Sequence, residues 1–453
     1  MKHSDLSYLY PDRHLEGITC LKFAITTLGC KVNQYESAGI LESLGKKGLE
    51  VVPFDQPADY YIINTCTVTG RSDVQSRQLI RRAARTNPEA QIIVTGCYAK
   101  LAGAELSKIP GVALVTDQKA LIPEIITAAG QRKQLMLPDH VMSPPDLSNL
   151  KPSRFPGHTR AFLKIQDGCN GGCRYCVIPF ARGPSRSIPE EEVLRRIDEL
   201  SGAGYREIVL TGIHLGAYGT DLTPRTNLFN IVKTVIDTQA VGRLRLSSIE
   251  PMELTDPLLA LFQSSGILCR HLHIPLQSGD DGTLDRMGRP YDSVFFTHLL
   301  KKIWRAVPDM AIGVDVIVGF PGEDEQAFRR TMQLIEDLPI AYLHVFPYSE
   351  RPGTAAAAMS GKVSEADKKN RAEQTRTIGK RKRTAYAEKF IGKELSVLME
   401  GRSDRGTGSW KGFSGNYIPV LVKNGNLSLV NRIVPVLADY CKDGKLHGRV
   451  IDD

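Results

Sequence analysis

Apolar and polar positions follow different rhythms in successive parts of this chain, and the changes of rhythm divide it into blocks. Between about residues 21 and 134, short apolar runs at 22–28, 60–64 and 91–95 read as strands, and the stretches 34–44 and 74–85 place their apolar residues at helical spacing. This alternation predicts a parallel, doubly wound sheet. Residues 137–156 hold five prolines (138, 144, 145, 152 and 156) and few apolar runs, the mark of a linker. A second block opens near Arg160, where strand-like segments at 161–166, 207–211, 243–249, 271–275, 313–319 and 342–346 alternate with helical ones and predict a partial β/α barrel. A charged helix over 364–390 follows. Short β-like runs at 395–399, 418–422, 427–430 and 434–437, with glycines between them, then suggest a small terminal β-barrel. The expected fold class is therefore α/β, divided into an extension at 1–20, a sheet domain at 21–150, a barrel domain at 151–388 and a small β-barrel at 389–453.

Length and charge add a location and a class of partner. At 453 residues, 42% of them hydrophobic, the chain is too long for one core. It has no run of about 18 apolar residues, and Met-Lys-His-Ser-Asp-Leu-Ser at its start lacks the apolar centre of a signal peptide, so a cytoplasmic location without membrane contact is expected. The net charge of +8 is unevenly spread. Residues 362–389 hold ten Lys or Arg against four acids, densest at Lys380, Arg381, Lys382 and Arg383. Such a segment suits phosphates and equally suits a solvated helix face.

The nine cysteines lie at 20, 30, 66, 97, 169, 173, 176, 269 and 441. In a large protein without secretory signals they favour metal ligation or catalysis over disulfides. Cys169, Cys173 and Cys176 stand in the glycine-rich stretch Asp167-Gly168-Cys169-Asn170-Gly171-Gly172-Cys173-Arg174-Tyr175-Cys176, directly after the first barrel strand. Three thiolates in that spacing satisfy three irons of a 4Fe-4S cluster and leave the fourth open. Zinc is the plainer alternative, but no second Cys or His pair lies nearby to complete a tetrahedral site. Cys30, Cys66 and Cys97 each follow a predicted strand, so an open parallel sheet would bring them to one crevice. Lone cysteines this far apart also read as small buried hydrophobes. Cys20, Cys269 and Cys441 read as structural.

The CxxxCxxC element with Tyr175 before its last cysteine resembles that of the radical S-adenosylmethionine superfamily. The resemblance implies that the open iron binds the amino and carboxylate groups of S-adenosylmethionine, that an electron from the cluster breaks the sulfonium bond to give a 5′-deoxyadenosyl radical, and that Tyr175 lies beside the adenine. Gly212 matches the superfamily's glycine element after the second strand only loosely. Taken whole, the chain resembles the methylthiotransferases, in which a flavodoxin-like domain, a radical S-adenosylmethionine barrel and a small RNA-binding TRAM barrel follow in this order. The likeness rests on Leu28-Gly29-Cys30-Lys31-Val32-Asn33-Gln34, Asn64-Thr65-Cys66-Thr67-Val68-Thr69, Gly96-Cys97, the run from Cys169 to Arg182, His273-Ile274-Pro275-Leu276-Gln277-Ser278-Gly279, the run from Asp315 to Glu323, and Ser349-Glu350-Arg351-Pro352-Gly353-Thr354. It implies a second 4Fe-4S cluster on Cys30, Cys66 and Cys97, whose open iron carries the sulfur to be transferred.

Ser248, Glu250, Gln277, Ser278, Arg289 and Asp315, at or near barrel strand ends, are candidates for holding S-adenosylmethionine and the target base, although ordinary strand-end hydrogen bonds explain such residues equally well. Lys380, Arg381, Lys382 and Arg383 are the RNA-binding candidates. Methylthiotransferases act on an adenosine beside the tRNA anticodon or on an aspartate of a ribosomal protein. Gly-Cys-Lys-Val-Asn-Gln-Tyr-Glu at 29–36 looks like the branch acting on threonylcarbamoyladenosine, whereas the isopentenyladenosine branch usually has Gln-Met-Asn after that cysteine. Two S-adenosylmethionine molecules per turnover are expected, one methylating the cluster-bound sulfur and one activating carbon 2 of the adenine. An electron donor is implied; the sulfur source is not legible. The rivals are an isopentenyladenosine enzyme, a radical enzyme acting on a ribosomal protein, and a non-catalytic RNA-binding protein with structural metal.

Overall fold

The computed structural model describes residues 21–132, 150–404, 406–423 and 425–451. The expected extension at 1–20 and the 137–149 part of the linker lie outside the described residues. The elements begin with β1 (Lys22–Thr27), α1 (Lys31–Lys46), β2 (Glu50–Val51), β3 (Tyr60–Thr65), α2 (Gly70–Thr86), β4 (Gln91–Gly96), α3 (Cys97–Leu106), β5 (Val112–Val115) and α4 (Ile122–Arg132). They continue with β6 (Arg160–Lys164), β7 (Gln166–Asp167), α5 (Ile178–Arg182), β8 (Arg186–Ser187), α6 (Glu190–Gly202), β9 (Glu207–Thr211), α7 (Leu228–Thr238), β10 (Arg243–Leu246), α8 (Asp256–Ser264), β11 (His271–His273), α9 (Asp281–Met287), α10 (Ser293–Ala306), β12 (Ala311–Val318), α11 (Glu325–Asp337), β13 (Tyr342–Pro347) and α12 (Glu365–Glu388). The last five are β14 (Glu394–Ser403), β15 (Trp410–Ser414), β16 (Pro419–Val422), β17 (Ile433–Lys442) and β18 (Lys445–Val450).

Two compact units form. Of the described residues, those up to Gly157 with Asp167–Cys169 and Val177–Pro184 make the first, and His158–Gln166, Asn170–Cys176 and those from Ser185 onward make the second. Residues 151–157, assigned from the sequence to the barrel domain, thus fall in the first unit. The cause is packing: Leu150 is buried among Phe23, Ile40 and Leu44, and the Ser153 N–H and hydroxyl donate to Glu42 at 2.6 and 2.8 Å. The barrel and the terminal strands share the second unit, which has no division at 388/389.

In the first unit, five parallel strands take the order β2-β1-β3-β4-β5, the flavodoxin-like arrangement expected. Strand residues alternate between two cores. Tyr61, Ile63, Ile92 and Val94 pack under Ile80 of α2 and Leu106 of α3, while Tyr60, Ile62 and Ile93 pack under Ile40 of α1 and Ile126 of α4. This two-sided burial is why β3 is buried at all six positions and runs apolar without alternation from Tyr60 to Ile63, before the buried polar pair Asn64 and Thr65. The Thr69 hydroxyl starts α2 by accepting the Ser72 N–H at 3.3 Å.

In the second unit, β10-β9-β6 and β11-β12-β13 are parallel sheets, joined by bridges from Leu244 to Leu268 and from Ser248 to His273. Six strands therefore follow in chain order with helices between, the partial barrel expected from the sequence. Asp280, Asp292 and Asp324 cap α9, α10 and α11 by accepting N–H groups at 2.7–2.8 Å. Strands β14-β15-β16-β18-β17 close into a barrel around Val397, Met399, Val420, Val422, Val436 and Leu446. One expected strand is corrected: Leu427–Leu429 is a 3₁₀ turn, because the Asn426 side chain accepts the Ser428 N–H at 2.9 Å and Leu427 faces solvent. β15 and β18 escaped the sequence pattern because each has only two large apolar residues, Trp410 and Phe413 in one and Leu446 and Val450 in the other.

Candidate active site

In the first unit, the carboxyl ends of β1, β3 and β4 lead directly to Cys30, Cys66 and Cys97. Cys30 stands at the N-cap of α1, and Cys97 opens α3. Cys66 and Cys97 are buried and Cys30 is exposed. Burial pushes the Cys66 thiol up, and negative charge on Cys97 or Cys30 raises it further, so the three sulfurs lie within electrostatic reach of one another. The convergence expected from strand ends is present.

Arg182, at the end of α5, is the hub of this site. Its Nε donates to Cys97 Sγ at 3.2 Å, its Nη1 to Glu36 Oε1 at 3.0 Å and Asp167 Oδ1 at 2.9 Å, and its Nη2 to Asn33 Oδ1 at 2.5 Å. Asn33 in turn donates to Leu28 O at 2.8 Å and Thr65 O at 3.0 Å, tying together the ends of β1 and β3. Lys119 also pairs with Glu36. Two cations thus meet two carboxylates where the Arg182 and Glu36 side chains are only 5% and 4% exposed. Isolated charges are not tolerated there, and the planar guanidinium serves several acceptors at once. The neighbouring Gly168 has φ +74°, and a Cβ on it would fall 1.9 Å from Pro184 O, so the approach of these segments requires glycine. The Cys169 N–H donates to Gly183 O at 3.0 Å.

In the second unit, Cys176 N–H donates to Cys173 O at 3.1 Å, and Arg174 N–H to Met287 O at 2.9 Å, which fixes the loop on α9. Arg289 repeats the arrangement seen at Arg182: its Nη1 donates to Cys173 Sγ at 3.1 Å, its Nε to Tyr291 Oη at 3.1 Å, and its Nη2 pairs with Glu250. Each cysteine group therefore has a buried arginine that donates to a sulfur and is itself held by a carboxylate. The Tyr175 ring meets Phe320 edge-on at 6.2 Å, in a cluster with Met287 and Tyr348. Burial holds its phenol well above the ordinary tyrosine range.

The other candidates separate. A Cβ on Gly212 would lie 2.7 Å from Gln166 Oε1, so this position is a close approach of backbone. Gln277 has φ +63°, and its buried Oε1 has no hydrogen-bond partner among the described residues, the mark of a group kept for a ligand. Ser278 is fully buried, with its hydroxyl 3.1 Å from Thr331 Oγ1 and accepting Asp280 N–H at 3.2 Å, which holds the turn into α9. Ser248 and Asp315 gather around His273 instead of joining Glu250 and Arg289. In α12, Lys380, Arg381 and Arg383 are exposed, although Arg381 pairs with Glu336. Lys382 is half-buried and donates to Glu336 O and Leu338 O at 2.7 Å each, capping the end of α11. Burial and then Arg381 push it down to about 8. Its place in the basic run thus has a structural explanation.

Sequence reasoning missed the roles of Arg182, His273 and His344, and the buried pair of Arg245 Nε and Glu207 Oε1 at 2.7 Å. Nothing in local pattern marks a charged residue whose partners lie 15 to 149 positions away.

Residues 22–117 match the model of the Uncharacterized protein family UPF0004, and residues 163–335 match the Radical SAM superfamily. The threonylcarbamoyladenosine tRNA methylthiotransferase MtaB of Bacillus subtilis is 40% identical over 442 residues, which is 95% of this chain and 97% of that protein. This chain belongs to the radical S-adenosylmethionine methylthiotransferase family. The protein of the same name from Thermotoga maritima is 39% identical, over 83% of this chain and 86% of its own. The tRNA-2-methylthio-N(6)-dimethylallyladenosine synthase of Lawsonia intracellularis is 32% identical, over 91% and 95%. In fold, this methylthiotransferase is similar to the radical S-adenosylmethionine methyltransferase TsrM from Kitasatospora setae, with a TM-score of 0.55 at 14% identity, covering 75% of this chain and 74% of that one.

The methylthiotransferase works with two 4Fe-4S clusters and S-adenosylmethionine. Its residues fit them: both cysteine groups offer three soft sulfur donors, and a buried arginine beside each offsets negative charge. Among the described residues, no helix is long and apolar enough to cross a membrane.

Proposed function

We propose that this enzyme adds a methylthio group to carbon 2 of threonylcarbamoyladenosine beside the anticodon of tRNA. The observation that carries the reading is the gradient of similarity. Relatives named for threonylcarbamoyladenosine run from 40% down to 33% identical, most of them at 35% or above, whereas those named for dimethylallyladenosine are 32% identical over comparable lengths. Lys31-Val32-Asn33-Gln34 after Cys30 supports the same branch, and here Asn33 has a physical role in holding Arg182.

Cys169, Cys173 and Cys176 hold one cluster and Cys30, Cys66 and Cys97 the other; when bound, the first with S-adenosylmethionine supplies radical activation of the base and the second supplies sulfur. Around them the protein positions and shields. Arg289 and Arg182 donate to sulfurs and so favour the more negative cluster state. Tyr175 and Phe320 give an apolar wall suited to adenine, and Gln277 Oε1 is left to accept a donor from ligand. Residues 21–150 act as the sulfur-carrying domain, 151–388 as the radical domain and 389–453 as a TRAM-like tRNA-binding barrel, joined by Lys380, Arg381 and Arg383 of α12. Beside that helix, Trp304, Tyr386, Arg381 and Lys389 line a groove that offers aromatic faces and positive charge to a strand. An electron donor serves the clusters, and the reaction takes place in the cytoplasm.

The test is anaerobic reconstitution with iron and sulfide, addition of S-adenosylmethionine and a reductant, and nucleoside mass spectrometry of tRNAs bearing threonylcarbamoyladenosine or isopentenyladenosine. A methylthio gain on the threonylcarbamoyl nucleoside alone supports the reading. A gain on the isopentenyl nucleoside alone, or cofactor cleavage with neither tRNA modified, overturns it.

A further inference from the structure

His273 closes β11, Asp315 lies in β12 and His344 in β13, three neighbouring parallel strands. The ladder sets His273 opposite Gly313 and Asp315 opposite His344. Gly313 and Asp315 are two residues apart on one strand and share a face, so all three side chains project to the same side. Their donor atoms lie within 4.8 Å of one another. His273 Nε2 and His344 Nδ1 each stand 3.2 Å from Asp315 Oδ1.

The surroundings orient these groups. Ser248 Oγ lies 2.7 Å from His273 Nδ1. With the proton on Nδ1 donated to Ser248, Nε2 turns a lone pair toward Asp315, the arrangement that fixes a ligating imidazole. The Tyr342 ring occupies the space over Gly313, where a Cβ would meet Tyr342 Cζ at 2.1 Å, and it stacks on the His273 ring at 6.1 Å and 25°. His273 is 8% exposed, and its Nε2 makes no hydrogen bond of acceptable geometry with any described residue. Hydrogen bonding within the cluster therefore leaves a buried nitrogen over, which a coordinated ion would satisfy.

We infer that His273, Asp315 and His344 bind a divalent cation of the first transition row. Two imidazoles and one carboxylate suit zinc or iron(II) better than calcium or magnesium, which take oxygen donors. Three protein ligands leave a coordination position open, and His344, half-exposed, offers the entry path. The site uses none of the six cluster cysteines and does not depend on which nucleoside is the substrate.

The test uses the cluster-loaded enzyme and zinc as the probe. After anaerobic dialysis against zinc and then against metal-free buffer, zinc and iron are counted by elemental analysis and zinc ligation is read from X-ray absorption. The expected result is a single zinc per chain with a nitrogen and oxygen shell at about 2.0–2.1 Å. His344→Ala should lose that zinc while keeping its iron and circular dichroism, and Ser248→Ala should weaken zinc binding about 10–100-fold. Zinc retained equally by His344→Ala, a sulfur shell at about 2.3 Å, or no retained zinc would each overturn the inference.

Discussion

Replacing Arg182 with methionine keeps most of the side-chain volume but removes the charge that Glu36 and Asp167 share. Lys119 remains, so two buried carboxylates face one cation, and Cys97 loses its donor. Breaking a buried ion pair by removing one partner costs about 3–5 kcal/mol, because the remaining charge stays desolvated without compensation. In a unit of this size each kcal/mol is worth about 2–4 °C of melting temperature, so the first unit of Arg182→Met should melt about 6–20 °C lower. Anaerobic thermal unfolding by circular dichroism, at matched iron content, measures this. Adding Asp167→Asn to Arg182→Met restores charge balance and should recover part of the loss. A melting temperature within about 2 °C of the wild type, or a double variant less stable than Arg182→Met, would refute the assignment of Arg182 as the hub.

Glu207 gives a pH dependence. Burial opposes its ionisation, but Arg245, Arg160 and Arg243 outweigh burial and lower it from the ordinary 4.5. A lowered carboxylate contributes stability that is complete above 4.5 and is lost as pH falls through the folded value, so acid unfolding of the second unit should begin below that pH and Glu207→Gln should flatten the slope there. Alanine at Cys169, Cys173 or Cys176 should abolish cleavage of S-adenosylmethionine, whereas alanine at Cys30, Cys66 or Cys97 should spare cleavage and stop methylthio transfer; product chromatography distinguishes the two groups, and methylthio product from any one of the latter three variants refutes the division. On α12, Lys380→Ala and Arg383→Ala should each reduce the salt slope of tRNA binding by about one. Lys382→Ala should instead lower stability with little change in slope, since its ammonium is engaged by Glu336 O and Leu338 O.

Local information in the chain determined most of the architecture. Apolar runs of strand length separated by helical periods specified the parallel sheets, since a strand buried on both faces, such as Tyr60–Thr65, opens with four consecutive apolar or aromatic residues and has no polar-out alternation to obscure it. The spacing of Cys169, Cys173 and Cys176 pointed to the chemistry, because the residues proposed to hold one cluster lie within eight positions and leave their signature in the order of the chain. Cys30, Cys66 and Cys97 were legible one step less directly, through the rule that strand ends in a parallel sheet converge. Tertiary structure decided what depends on distant partners. It placed residues 151–157 with the first unit through Leu150 and Glu42, turned Leu427–Leu429 out of the terminal barrel, and gave Lys382 to two backbone carbonyls. It also joined Arg182 to Asn33 across 149 positions and set His273, Asp315 and His344 on adjacent strands. A buried charge or an imidazole has no periodicity of its own, and its meaning lies in which acceptors the folded chain brings within about 3 Å of it.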